Sequence, residues 1–294
     1  MTQAFKNVAI FGKPRVEGSR HSLTAALRQI AGIVESAGLQ PMFDGSTVEV
    51  LELQPYSGYS LQALGRQADV AVVLGGDGTM LGIARELSSF GVPLVCINQG
   101  RLGFLTDVSV DTMLETMAEI LAGDYLSEAR FLLDVTIRRQ GENVHEACAF
   151  NDAVVSEGAT ARLIELEVFV DGQFVYSQRS DGMIISTPTG STAYALSSGG
   201  PILHPTLEAV VLVPICPHTL SNRPIAVNSE STIELLLLHA DDARVHFDGQ
   251  RHFDLQENDW VIVRRSKQMV RLLHPFGHSY YDMLRQKLHW EEKL

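Results

Sequence analysis

The 294-residue sequence predicts an α/β domain built on a parallel sheet, followed by a mainly β, sandwich-like domain. Two observations carry this expectation. Up to about residue 127, short continuous apolar runs alternate with amphipathic helical patterns; strands covered on both faces by helices read this way. Beyond that point the apolar residues recur every second position, as in strands with one buried face.

The elements follow in order. Val8-Ala9-Ile10-Phe11 reads as a buried strand closing at Gly12. Leu23, Leu27, Ile30 and Val34 then recur on one helical face until Gly38 and Pro41 stop the pattern. Val70-Ala71-Val72-Val73-Leu74 is a second strand running into a glycine-rich turn, with a helix expected over roughly 80–90. Pro93-Leu94-Val95-Cys96-Ile97 makes a third strand, and a helix over 113–121 closes near Gly123. In the later half Ile164, Leu166, Val168 and Val170 alternate with Glu165, Glu167 and Phe169. Asp171-Gly172 next supplies the positive φ angles of a type I′ hairpin turn. Further strand runs lie at 132–137, 183–186, 233–238 and 260–263, and 280–288 reads as a helix that returns to the first domain. The expected domains are 1–127 together with 276–294, and 128–275.

Composition narrows the partners. The formal net charge is −12, from 23 basic and 35 acidic residues, which disfavours a nucleic-acid partner. An acidic chain still binds an anionic nucleotide where metal ions and backbone N–H groups supply local positive potential. Cys96, Cys148 and Cys216 form no Cys-x-x-Cys pair, and their odd number points to reduced thiols in a cytoplasmic protein. Val8 to Phe11 is too short for a signal peptide, and no apolar run approaches a membrane span, so no membrane partner is expected. His239, His246 and His252 fit no zinc spacing, so no protein-held metal is expected either. Walker-type, protein-kinase and Gly-x-Ser-x-Gly signatures are all missing.

Four segments carry candidate chemistry. Gly75-Gly76-Asp77-Gly78-Thr79 lies between a strand and a helix, at the sheet edge where α/β proteins bind ligands. Its glycines let a phosphate approach, and the helix N-terminus favours negative charge. Asp77 repels phosphate, so it faces a hydroxyl to be deprotonated, faces a metal on the phosphates, or caps the helix. After the next strand, Asn98-Gln99-Gly100-Arg101-Leu102-Gly103-Phe104-Leu105 offers Arg101 for a phosphate and Phe104 as a wall for a ring; a surface charge and core packing are the plainer alternatives. Asn151-Asp152 suits vicinal ribose hydroxyls, or simply a turn. Finally, residues 179–201 set small hydroxyl side chains and glycines around Tyr194, between apolar flanks. That lining suits an adenine and ribose pocket, with hydroxyls and backbone groups meeting the polar edges.

In this order the segments resemble the NAD kinase family. The matches are Gly75-Gly76-Asp77-Gly78-Thr79, Leu102-Gly103-Phe104-Leu105, Asn151-Asp152, Asp181-Gly182 and the run Thr187-Pro188-Thr189-Gly190-Ser191-Thr192-Ala193-Tyr194. The Gly-Gly-Asp-Gly element is shared with diacylglycerol-type lipid kinases and phosphofructokinases, whereas the longer run is specific. The resemblance implies a Rossmann-like first domain, a β-rich second domain contributing to the NAD site, and a homodimer or homotetramer. It implies transfer of a phosphoryl group from ATP, carried with Mg or Mn, to the 2′-hydroxyl of the adenosine ribose of NAD. Asp77 would be the base or orienting group, with Gly78 beside it and with Gly75, Gly76, Thr79 and Arg101 near the phosphates. Phe104, Asn151, Asp152, Arg162, Arg179, Asp181 and Gln250 would contact the dinucleotide. Thr189, Thr192, Ala193, Tyr194, Ala195, Leu196 and Ser197 would line its pocket. The family usually carries Glu where this chain has Asp152, one methylene shorter, which loosens the implied ribose contact or bridges it by water. Two other readings use the same residues: a lipid kinase, which needs an apolar acceptor pocket, and a non-catalytic NAD-binding regulator.

Overall fold

A computed structural model describes residues 5–13, 20–100, 103–158, 163–219 and 221–290. The chain divides into two compact units, Met1–Ala129 with Val270–Leu294, and Arg130–Met269.

The first unit opens with β1 (Asn7–Gly12), α1 (Arg20–Ser36) and β2 (Gln40–Asp44), then α2 (Gly45–Leu51), β3 (Gly58–Tyr59) and α3 (Leu61–Gln67). It continues with β4 (Val70–Gly75), α4 (Asp77–Leu87), β5 (Leu94–Asn98), β6 (Val108–Ser109) and α5 (Met113–Ala122). The strands pair in the order β3-β2-β1-β4-β5, all parallel, with β6 added parallel to β5. Every residue of β4 and β5 is buried, as a parallel strand sandwiched by helices requires. Helix α1 buries Leu23, Leu27, Ile30 and Val34 against Val8, Ile10, Val72 and Val95. Each such apolar side chain contributes about 1.5–3 kcal/mol when fully removed from water, so the stripe alone docks the helix.

The strand β2 is absent from the sequence reading, because Gly38 and Pro41 look like helix stops only. Pro41 in fact lies inside β2, in register with Val8. The seven-residue helices α2 and α3 are too short to show a period. Helix α4 begins at Asp77, three residues ahead of the expected start, because Gly76 takes an extended conformation at its N-cap (φ −112, ψ 178).

The second unit contains β7 (Leu126–Arg139, which enters it at Arg130), β8 (Glu142–Ala149), β9 (Asp152–Glu157), β10 (Ile164–Val170), β11 (Gln173–Ser180) and β12 (Gly182–Ser186). A short helix α6 (Tyr194–Ser197) precedes β13 (Ala209–Ile215), β14 (Ile225–Asn228), β15 (Ile233–His239), β16 (Ala243–Phe247), β17 (Arg251–Leu255) and β18 (Trp260–His274). One antiparallel sheet runs β14-β13-β12-β9-β16-β17. The run β11-β10-β15-β18 is antiparallel as well. Leu166, Val168, Leu235 and Val261 share one core with Val155, Ile185, Leu212 and Val245, so the two sets of strands pack face to face as a sandwich. The β10–β11 hairpin turns on Asp171 (φ 52) and Gly172 (φ 72), the two positive φ angles the sequence demanded.

Strand β18 leaves the second unit after Met269, and in the first unit its Leu272 pairs in parallel with Leu94. The last helix, α7 (Tyr280–Leu288), is capped by Ser279 Oγ accepting from Asp282 N. It belongs to the first unit, burying Met283 and Leu284 and holding Lys287 Nζ 5.8 Å from the centre of the Phe104 ring. Among the described residues no helix is long and apolar enough to cross a membrane.

Candidate active site

Strands β4 and β5 end side by side, with Gly75 in register with Asn98, so both glycine turns begin at one edge of the first unit's sheet. Asp77 occupies the first turn of α4, yet its carboxylate does not cap that helix. It reaches the neighbouring turn, where Oδ2 accepts from Phe104 N at 2.8 Å. Oδ1 accepts from Leu105 N at 3.3 Å and from the Thr106 hydroxyl at 3.0 Å. Asn98 Nδ2 donates to the same hydroxyl at 2.7 Å, which fixes the direction of its proton toward Asp77. A carboxylate offers about four lone-pair sites, and the three donors among the described residues leave one, on Oδ2, for an incoming hydroxyl. Gly103 is a requirement of this arrangement, since a Cβ there would overlap Asp77 Oδ1 and the Thr106 hydroxyl. Phe104 is half-buried under Lys287 rather than part of the core. Arg101 and Arg162, both expected to bind ligand, lie outside the described residues.

The second unit holds a cavity of about 360 Å³ lined by Asn151, Asp152, Ala193 and Tyr194, all expected from the sequence, and also by His246, Asp248 and Gly249. Its floor is made by the Asp248-Gly249 turn between β16 and β17, both residues at positive φ (52 and 63). From that turn Asp248 clasps the start of β9: its carboxylate accepts from Phe150 N at 3.0 Å, Asn151 N at 2.7 Å and Asp152 N at 3.1 Å. Opposite, Thr187 Oγ1 donates to the Phe150 carbonyl at 2.7 Å and Ser186 Oγ to the Asn151 carbonyl at 3.3 Å. A Cβ at Gly190 would strike that same carbonyl, so only glycine lets the two segments meet. With its backbone held from both sides, Asn151 keeps a buried Oδ1 that has no hydrogen-bond partner among the described residues. Such an orphan costs about 1–3 kcal/mol, which a ligand hydroxyl donating to it would recover.

The hydroxyl-rich segment corrects one expectation. Ser186, Thr187 and Ser191 are fully buried, and their hydroxyls are used up on backbone groups, Ser191 Oγ bonding Pro188 O at 2.7 Å and Leu203 N at 2.9 Å. They shape the pocket instead of meeting a base edge. Ala195 is likewise buried in a core with Ile184, Val211 and Val213, so its side chain packs and does not line the cavity. Thr189 is nearly buried, Thr192 Oγ1 bonds its carbonyl at 3.3 Å, and Leu196 is half-buried. Ser197 and Gln250 are exposed, and the Arg179 side chain is exposed with Glu165 3.8 Å away. Tyr194 keeps a large exposed ring over the pocket; burial, then Cys216, Asp181 and Asp152, push its phenol up. Val154, Ser156, His246, Asp248 and Gly249 are the lining residues that sequence reasoning missed. The signal for Asp248 was present, since Asp248-Gly249 between alternating runs repeats the hairpin signature of Asp171-Gly172.

Asp152 is 4% exposed, and burial followed by the charge of Asp248 pushes its carboxyl up to about 7. A raised acid pKa means that the folded chain holds a proton the unfolded chain has lost, so the associated stability is present at low pH and disappears as pH rises through about 4 to 7. The wild-type urea midpoint is therefore expected to fall between pH 5 and 8 relative to Asp152→Asn, by a free energy on the order of a few kcal/mol. Parallel curves for the two proteins would refute that environment for Asp152.

Residues 50–125 match the family described as the ATP-NAD kinase N-terminal domain, and residues 150–274 match the ATP-NAD kinase C-terminal domain. The NAD kinase of Thiobacillus denitrificans is 56% identical over 290 residues, covering 99% of both chains. That of Laribacter hongkongensis is 51% identical over 294 residues, the whole of each. Among solved structures, a yeast NADH kinase complexed with NADH is similar with a TM-score of 0.88 at 25% identity, covering 100% of this chain and 90% of that one. An NAD kinase from Archaeoglobus fulgidus in complex with ATP gives a TM-score of 0.72 at 25% identity, over 95% and 99%.

Proposed function

Because the chain belongs to the NAD kinase family and is an ATP-dependent phosphotransferase acting on NAD, we propose that Asp77 is the group that receives the acceptor's proton. The 2′-hydroxyl oxygen of the adenosine ribose attacks the γ-phosphorus of ATP. The bond from that phosphorus to the β,γ-bridging oxygen breaks, ADP leaves, and the hydroxyl proton passes to Asp77. Positioning and charge neutralisation dominate such transfers. ATP enters as its complex with Mg or Mn, so the divalent ion arrives with the substrate. Gly75 closes β4, Gly76 is the N-cap of α4 and Thr79 lies in its first turn, where the helix N-terminus favours phosphate.

The second unit's cavity takes a ribose and a base of the dinucleotide. Asn151 Oδ1 accepts a ribose hydroxyl, Asp152 adds a second polar contact, and Tyr194 offers its ring for stacking. The observation carrying the role of Asp77 is its anchorage by three donors among the described residues, which fixes the carboxylate and leaves Oδ2 with a single bond. Cys96, Cys148 and Cys216 are in no disulfide, as expected of thiols kept reduced in the cytoplasmic setting we infer. We also infer a homodimer or homotetramer, which sedimentation of the purified chain would read.

A coupled assay tests the reading. Purified chain with NAD, ATP and Mg²⁺ is expected to form NADP, detected by an NADP-dependent dehydrogenase, in step with ADP. A diacylglycerol acceptor is expected to take no label from ATP. Labelled lipid, or NAD binding without NADP, would each reverse the assignment.

A further inference from the structure

The turn that anchors Asp77 continues from Thr106 into Asp107, whose side chain is 10% exposed. Asp107 Oδ2 accepts from two imidazoles at once, His274 Nδ1 at 2.7 Å and His278 Nδ1 at 2.9 Å. His274 ends β18, and His278 lies one residue ahead of the Ser279 cap of α7. The two rings stack with centroids 4.0 Å apart and planes 14° from parallel. Their side chains are 5% and 12% exposed, and Glu128 Oε2 stands 3.6 Å from His274 Nε2. The far nitrogens, Nε2 of both rings, are buried without a hydrogen-bond partner among the described residues. Both imidazoles are thus aimed at one carboxylate oxygen through the nitrogen nearest it, and on the other side His274 has only the 3.6 Å ion-pair contact with Glu128.

We propose that Asp107, His274 and His278 form a binding site for one divalent transition metal of the zinc class. The donor atoms of the three residues all lie within 4.8 Å of one another. Two imidazole nitrogens and a carboxylate oxygen are the donors zinc prefers, whereas Mg²⁺ prefers oxygen alone. Metal bonds of about 2.0–2.2 Å place tetrahedral neighbours roughly 3.3 Å apart, so the present hydrogen-bonded pairs need to open by only a few tenths of an ångström. Rings with no hydrogen bond at Nε2 permit that movement. Glu128 adds a second negative charge beside the cluster.

Occupancy would tie the turn carrying the donors to Asp77 to the C-terminal segment of the same unit. The ion is structural, distinct from the one that travels with ATP, and its binding needs no nucleotide. The spacing His274-x-x-x-His278 is short enough for one turn to present both rings.

The test uses the full chain, stripped with a chelator and kept free of nucleotide at pH 8. Zn²⁺ is titrated calorimetrically, and Co²⁺ is followed by its visible d–d bands, both in excess Mg²⁺. One ion per chain is expected, with tetrahedral Co²⁺ bands and a higher Tm. His278→Gln and Asp107→Asn are expected to weaken binding at least tenfold and to abolish the bands, while His246→Gln leaves both unchanged. If Asp107→Asn does not fold, His278→Gln still decides, since His278 is at the edge of the cluster. No binding by wild type, or equal binding by His278→Gln, overturns the proposal and leaves the cluster as a hydrogen-bonded clamp.

Discussion

Asp77→Asn is expected to lower kcat by about 10²–10⁴-fold while KM for NAD stays within a few-fold of wild type. A ribose hydroxyl is a weak nucleophile at neutral pH, and its attack gains most when the proton leaves as bonding to phosphorus advances. An amide cannot take that proton. The substitution is nearly isosteric, so the glycine turn survives, although one of the three bonds from Phe104, Leu105 and Thr106 is lost when a carboxylate oxygen becomes an NH₂. Steady-state kinetics with a melting curve separate the effects. Equal losses in kcat and in affinity for both substrates would make Asp77 a binding residue only. An unchanged kcat would remove it from the chemistry.

The second large effect is expected at Asp248. Asp248→Ala removes one carboxylate that serves three backbone N–H groups, those of Phe150, Asn151 and Asp152. Hydrogen bonds to a charged acceptor contribute about 1.5–3 kcal/mol each, and water entering the adjoining cavity recovers part of the loss. A destabilisation of about 3 kcal/mol is expected, a large share of the 5–15 kcal/mol typical of a folded domain. Asn151 then loses its fixed orientation, and KM for NAD rises at least tenfold. Removing the Asp248 charge also lets the Asp152 carboxyl fall back below about 7, since that charge is one of the two causes of its elevation. Urea titration and KM measured together check the prediction. Stability within about 0.5 kcal/mol of wild type, with KM unchanged, would show that the clasp does not hold the site.

Strands such as β4 and β5 were legible because burial on both faces leaves an uninterrupted apolar run, and that pattern is local. The same holds for Asp171-Gly172, where the turn geometry selects the residues. Strand β2 was hidden by Pro41, since proline speaks against a strand unless neighbouring strands supply a place for it. Strand β13 is an apolar run that the sequence reading leaves unassigned, and it too contains a proline, Pro214, opposite Met183. At the site, Asp77, Asn151 and Tyr194 stood out because glycine turns and paired polar residues are local signals. Their settings did not. That Asp77 bonds across to Phe104, 27 residues away, and not to its own helix, depends on Gly75 and Asn98 standing in register.

The sequence alone determined that an acidic carboxylate lies at a glycine turn beyond a buried strand, that a β-rich half follows, and that the motif series is the one NAD kinases carry. Those properties reside in neighbouring residues, in periodicity, φ preference and short motifs. Tertiary structure decided which hydroxyls are left for a ligand and which are spent on backbone, as at Ser186, Thr187 and Ser191. It also decided that Asp248 reaches Asp152 and that His274 and His278 converge on Asp107, 167 residues from His274 in the chain. A hydrogen bond or a charge acts over a few ångströms of space, and only the completed fold brings residues so distant in sequence within that range.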